Sequence, residues 1–205
     1  AFSTALAQNP PFYEEIQAYK KLDSAQMPAK NAILFIGSSS FNFWKDMQQY
    51  FPNHTVINRG FGGSSLPDVI RYANDIIYPY QPKQVVIYCG ENDIATLNAT
   101  PTVVLGRMKT LVGMIRGKFK NIPIAFVSIK PSPSRSHLMP VMASANRMIK
   151  EYLAKLKNTV YIDVYSQMLN AEGKPKPEIF VDDNLHMNAK GYAIWKQAIE
   201  PHLIK

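Results

Sequence analysis

Residues 35–44 read FIGSSSFNFW. An apolar run stops at Gly37, three serines follow, and aromatic residues resume at once. A surface loop fits this pattern, and so does a phosphate-binding turn or a nucleophile held at the end of a strand. What the rest of the chain brings beside the serines decides among them.

Working outward, the apolar run belongs to AILFIG (32–37), the first of five short stretches rich in β-branched and aromatic residues. The others are TVINRG (55–60), QVVIYCG (84–90), PIAFVSI (123–129) and TVYIDVY (159–165). Each reads as a strand buried on both faces. Helical patterns separate them. PFYEEIQAYKKLDSA (11–25) has Pro in a first-turn position and spaces Phe12, Ile16 and Tyr19 along one face. Thr100-Pro101 supplies an N-cap and an N1 proline for a helix to about Phe119, and further helices are expected over 66–78, 139–157 and 188–200. Strands alternating with helices imply right-handed crossovers and a parallel sheet covered on both sides. The expected fold is a doubly wound three-layer α/β/α domain, flavodoxin-like, on a five-stranded parallel sheet, with residues 11–205 forming one domain.

Composition narrows the function classes. With 205 residues and 46% hydrophobic content, the chain has ample material for a core, and no stretch approaches the roughly 20 apolar residues of a membrane span. The net charge of +8 is spread along the chain without a dense basic stripe, so it reads as a solvated surface and not as a nucleic-acid site. One cysteine, Cys89, excludes an intramolecular disulfide, and no Cys/His spacing suggests zinc. Ala5-Leu6-Ala7 resembles the small-residue signature that closes a secretory signal peptide, although a charged start is missing. Residues 1–10 are read as the remnant of such a peptide, implying export to a periplasmic or extracellular space, with a plain N-terminal arm and a cytoplasmic protein as the alternative.

Ligands of open α/β sheets bind outside the carboxyl ends of the strands. Four polar clusters follow the runs: Gly37-Ser38-Ser39-Ser40, Gly60-Phe61-Gly62-Gly63-Ser64, Gly90-Glu91-Asn92-Asp93 and, after a loop, Asp182-Asp183-Asn184-Leu185-His186. Their chemistry is complementary. A serine hydroxyl needs a base to take its proton, and the histidine that does so needs a carboxylate to fix its tautomer. Asp183 and His186, spaced i to i+3 before a helix, can lie side by side on one turn. Gly62 and Gly63 can present backbone N–H groups to an oxyanion, with the Asn92 amide and the N–H of the nucleophile as further donors. Taken singly, the paired glycines are turn residues, Asn92 and Asp93 an Asx turn, and His186 a surface histidine. Their coincidence at strand ends is what points to catalysis.

The blocks GSSS, NRGFGGSS, GEND and DNLH resemble, in order and spacing, those of the SGNH hydrolases, also called GDSL esterases, and within them the platelet-activating-factor acetylhydrolase type. That resemblance covers about residues 30–200. It implies Ser39 as nucleophile, His186 as base and Asp183 as triad acid, with Ser39, Gly63 and Asn92 as the oxyanion hole and no metal or cofactor. Two positions depart from the family pattern. Ser38 stands where aspartate is usual before the nucleophile, and Ser64 where an acidic residue often follows the oxyanion glycine; altered loop hydrogen bonding is the expected consequence. The family further implies an esterase acting on a small-molecule or carbohydrate ester. With few residues available for a lid, a shallow crevice suits short acyl groups such as acetyl. KPSPSRSHLMP (130–140) should border that crevice, making Arg135 and His137 candidate substrate contacts, unless it is only a Pro/Ser-rich turn with solvent-facing charges. Two other functions fit the serine loop less completely: a phosphate- or nucleotide-binding flavodoxin-like module, which leaves His186 and its aspartate idle, and a carbohydrate-binding relative without turnover.

Overall fold

The computed structural model describes residues 9–205, so the Ala5-Leu6-Ala7 motif and the export expectation attached to it lie outside the described residues. The strands are β1 (Ile33–Gly37), β2 (Val56–Gly60), β3 (Gln84–Tyr88), β4 (Ile124–Val127) and β5 (Thr159–Ile162). All pair in parallel, in the order β2-β1-β3-β4-β5. The helices are α1 (Tyr13–Ala25), α2 (Ser39–Asn42), α3 (Met47–Tyr50), α4 (Leu66–Arg71), α5 (Ala73–Ile76), α6 (Glu91–Ala95), α7 (Pro101–Lys118), α8 (Met139–Leu153) and α9 (Ala189–Ile199). Among the described residues no helix is long and apolar enough to cross a membrane.

Successive side chains of a strand point to opposite faces, and the two cores follow that period. Leu34, Ile36, Val85, Ile87, Ile124 and Phe126 pack with residues of α1, α4, α5, α7 and α8. Their neighbours Ile33, Phe35, Val86, Tyr88, Ala125 and Val127 pack on the other side against Phe41, Met47, Trp195 and Ile199 of α2, α3 and α9. Each such fully buried aliphatic or aromatic side chain contributes about 1.5–3 kcal/mol relative to exposure. The result is the expected α/β/α sandwich. With this strand order the chain winds outward in both directions from β1 and β3, and the crevice opens between their ends.

The local expectations need five corrections. Only β1, β3 and β4 are buried along their whole length; β2 and β5 are the sheet's edges and are partly exposed. The helix expected over 66–78 breaks at Tyr72, whose backbone leaves helical geometry (φ −95°, ψ 14°). Its buried ring lies edge-on to Phe61, and its hydroxyl donates to the Pro11 carbonyl at 2.6 Å. Tertiary contacts override propensity there. The helix expected to reach 157 stops at Leu153, where the Thr159 hydroxyl meets the carbonyls of Leu153 (2.7 Å) and Leu156 (3.0 Å). The fifth strand ends at Ile162 because the Asp163 carboxylate accepts from the N–H and hydroxyl of Ser166, turning the chain. At the N-terminus, α1 starts at Tyr13, two residues past Pro11.

Candidate active site

The serine loop is built by a steric fact at Gly37. Its φ is +139°, and a Cβ there would sit 1.8 Å from the Tyr88 carbonyl oxygen of β3. Only glycine lets β1 run this close to β3 and turn off the sheet. Ser38 then donates its N–H to that same carbonyl at 3.0 Å, and α2 begins at Ser39. Ser38 and Ser40 are buried, each 2% exposed, whereas Ser39 is partly open. Its hydroxyl oxygen lies 3.0 Å from His186 Nε2.

His186 comes from an irregular loop and not from a helix. Asn184 takes a left-handed conformation (φ +56°), and Asp183 Oδ1 accepts the N–H groups of Leu185 and His186, both at 2.8 Å. The other carboxylate oxygen, Oδ2, is 2.5 Å from His186 Nδ1. A proton on Nδ1 donated to Asp183 leaves the Nε2 lone pair facing the Ser39 hydroxyl. Partial burial pushes the Asp183 carboxyl up, but the hydrogen bonds from His186 and from the loop N–H groups outweigh it and bring its pKa down to about 2. The Phe43 ring stands edge-on to the imidazole, 4.6 Å between centroids, and is half exposed.

Gly63 also adopts positive φ (+75°). Among the described residues, no hydrogen bond uses the N–H of Gly63 or of Ser39. The loop carrying Gly63 is tied to the serine turn: Phe61 N–H donates to the Gly37 carbonyl at 3.0 Å, and the Ser64 hydroxyl lies 3.1 Å from that oxygen and 3.0 Å from the Phe61 carbonyl. Serine at position 64 therefore serves as an internal tie of the loop. Asn92, in the first turn of α6, donates from Nδ2 to the Ser64 carbonyl at 3.0 Å, which occupies one of its two amide hydrogens. Asp93 holds the start of α4 through the Leu66 N–H (2.8 Å) and pairs with Arg107 (2.6 Å); burial raises its carboxyl above the usual range against these bonds.

Sequence reasoning missed Glu91 and Lys130. Glu91 accepts from the Tyr88 hydroxyl, from Lys130 Nζ at 3.2–3.3 Å and from Arg135 Nη1 at 2.8 Å. Burial pushes the Glu91 carboxyl up, but the two cations and the Tyr88 hydroxyl outweigh it and hold it below the ordinary range. Burial in turn pulls the Lys130 ammonium down, with Glu91 resisting. The only sign in the sequence was a lysine closing the apolar run AFVSIK. Arg135 reaches inward to Glu91 and Asn92, while His137 is exposed on the surface.

A crevice of about 340 Å³ adjoins Gly63 and Asn92, walled by Phe12, Pro67, Arg71 and Leu97. A cleft of similar size beside α1, lined by Lys20, Asp23 and Met27, contains no histidine. The Ser39 hydroxyl, the His186 imidazole and the N–H groups of Ser39 and Gly63 thus lie beyond the carboxyl ends of the strands, where such a site is expected.

The sequence matches the model of the GDSL-like lipase/acylhydrolase family over residues 35–194. No curated protein matches it. Among solved structures, a protein of Bacteroides fragilis provisionally described as an acylhydrolase superposes with TM-score 0.81 at 21% identity, covering 95% of this chain and 97% of that one. A GDSL-like lipase from Bacteroides thetaiotaomicron gives 0.76 at 20% identity, with 91% and 96% covered. An acetylxylan esterase from Geobacillus stearothermophilus gives 0.67 at 15% identity, with 87% and 96% covered. At these identities the structural likeness is one of fold; the family match carries the activity. The chain belongs to the GDSL-like lipase/acylhydrolase family and is an ester hydrolase.

Proposed function

We propose that the protein hydrolyses short-chain esters, acetyl esters above all, through an acyl-enzyme on Ser39. The Ser39 hydroxyl attacks the ester carbonyl while its proton passes to His186 Nε2, and the bond between carbonyl carbon and leaving oxygen breaks as that proton moves to the alcohol. Water then repeats the sequence and frees the acid. Asp183 keeps the proton on Nδ1 and steadies the imidazolium. The N–H groups of Ser39 and Gly63 and the second hydrogen of Asn92 Nδ2 receive the oxyanion.

The observation that carries this reading is the relay of 3.0 Å from Ser39 Oγ to His186 Nε2 and 2.5 Å from His186 Nδ1 to Asp183. The acyl preference rests on the modest crevice beside Gly63 and Asn92. A carbohydrate as the alcohol is supported by the shared fold of the acetylxylan esterase.

The test is turnover of p-nitrophenyl esters from acetyl to octanoyl, with chelator present, by wild type and Ser39→Ala. Wild-type rates should fall with acyl length and the variant should lose about a thousandfold or more in kcat. The small, partly open hydroxyl adds little to the core, so the variant should fold normally. Full activity in Ser39→Ala would sink the assignment. Inactivity of both proteins would move the carbohydrate-binding and phosphate-binding readings ahead.

A further inference from the structure

Three ions meet beneath the candidate site. Lys130 is fully buried and the Glu91 and Arg135 side chains are 5% and 19% exposed. Buried ion pairs are rarely the most stable filling for a core, because apolar residues of the same volume avoid the desolvation they suffer. What they touch therefore matters more than that they pair.

Each of the three reaches the candidate site directly or through a neighbour. Glu91 immediately precedes Asn92 in the chain. Arg135 Nη1 donates both to Glu91 Oε1 at 2.8 Å and to Asn92 Oδ1 at 3.1 Å. Lys130 Nζ donates to the carbonyl of Leu185 at 2.8 Å, in the turn between Asp183 and His186. The same segment holds that turn a second time, through the Ser134 N–H on the Asn184 carbonyl at 3.1 Å.

The contact to Asn92 has a chemical consequence. A carboxamide can rotate by half a turn at almost no steric cost, exchanging an acceptor for a donor. A guanidinium has no acceptor, so only the oxygen of Asn92 can face Arg135. That leaves Nδ2 to bind the Ser64 carbonyl with one hydrogen and to keep the other free. The reversed amide would set two oxygens against each other at Ser64 and offer an acceptor where an oxyanion forms.

We infer that Glu91, Lys130 and Arg135 are positioning residues that act as one unit, fixing the donor end of Asn92 and the backbone of the His186 turn in a common frame. This rests on the roles proposed above for Asn92 and His186. Through Arg135 the cluster sets transition-state stabilisation, and through Lys130 the placement of the base relative to Ser39.

The test is a cycle of Arg135→Met, Asn92→Ala and the double variant on p-nitrophenyl acetate, with Arg135→Lys as the conservative substitution and thermal unfolding as a check on folding. Arg135 is chosen because it lies at the rim of the cluster, where a change leaves the deeper Lys130–Glu91 pair in place. Arg135→Met should lower kcat by about 10- to 100-fold at nearly constant KM, less than the roughly 100- to 1,000-fold that follows outright loss of an oxyanion donor. In the Asn92→Ala background the same change should cost less than about twofold, because its route is already gone. Arg135→Lys should recover part of the rate. An equal loss in both backgrounds, a change confined to KM, or no loss would overturn the inference while leaving the active-site reading intact. Full activity in Asn92→Ala would instead remove the oxyanion assignment and the inference with it.

Discussion

Two groups of buried ions invite comparison. One lies on the edge strand β2, where Arg59 pairs with Asp23 of α1, donates to the Tyr80 hydroxyl at 2.5 Å and to the Asn58 carbonyl at 2.9 Å, and lies over the rings of Tyr19 and Tyr80. The other is the cluster of Glu91, Lys130 and Arg135 beyond the ends of β3 and β4. The chemistry is alike: cations out of water, each given a carboxylate and further acceptors. The partners differ. Those of Arg59 are strand, helix and ring, so that group clamps α1 to the sheet. Those of Glu91 and its cations include Asn92 and the Leu185 carbonyl, so the second group reaches the loops that carry the site. A buried ion pair is thus informative through its third and fourth contacts.

The comparison breaks most visibly at Glu91. Glu91→Ala leaves two cations without their carboxylate and should cost about 3–5 kcal/mol in urea unfolding, together with a fall in kcat on p-nitrophenyl acetate. A stable variant with wild-type kcat would erase the distinction between the clusters. Asp23→Ala should cost about 1.5–3 kcal/mol, because Arg59 keeps Tyr80 and Asn58, and should leave kcat within about twofold of wild type. A large fall in kcat would mean that the clamp on α1 also shapes the site. The subtlest difference concerns pH. The folded Glu91 carboxyl sits below its unfolded value of about 4.3, so its contribution is fully present above that pH and is lost as pH falls through the folded value. The stability difference between wild type and Glu91→Gln should therefore be widest near neutrality and shrink below about pH 4. A difference constant from pH 7 to pH 3 would mean that Glu91 does not carry its charge in the fold.

Much of the architecture was legible in the chain because its signals are local. Runs such as AILFIG and QVVIYCG, the Thr100-Pro101 helix start and the glycine before three serines each carry their meaning within a few residues. The break at Tyr72 was not legible, since it depends on Phe61 and on the Pro11 carbonyl, 61 positions away. Nor was the edge position of β5, whose TVYI reads like a buried strand; in β2 the polar Asn58 and Arg59 were a local sign against burial on both faces. For the site, the kinds of residue were readable and their partners were not. Arg135 reads as a solvent-side or substrate-side charge, yet its guanidinium turns inward to Glu91, 44 positions earlier in the chain.

The sequence by itself determined the α/β class and the family, and it marked Ser39, Gly63, Asn92, Asp183 and His186 as the candidates for the proposed serine-hydrolase site. The tertiary structure decided that Ser39 is the serine left open between two buried ones, and that the Asp183 turn delivers His186 to it across 147 positions of chain. It also decided that a fully buried lysine and a largely buried arginine meet on one carboxylate, Glu91. The physical reason is one of range. Strand and turn preferences act over a few neighbouring residues, whereas a proton relay or an ion cluster exists only once folding has closed the chain around it.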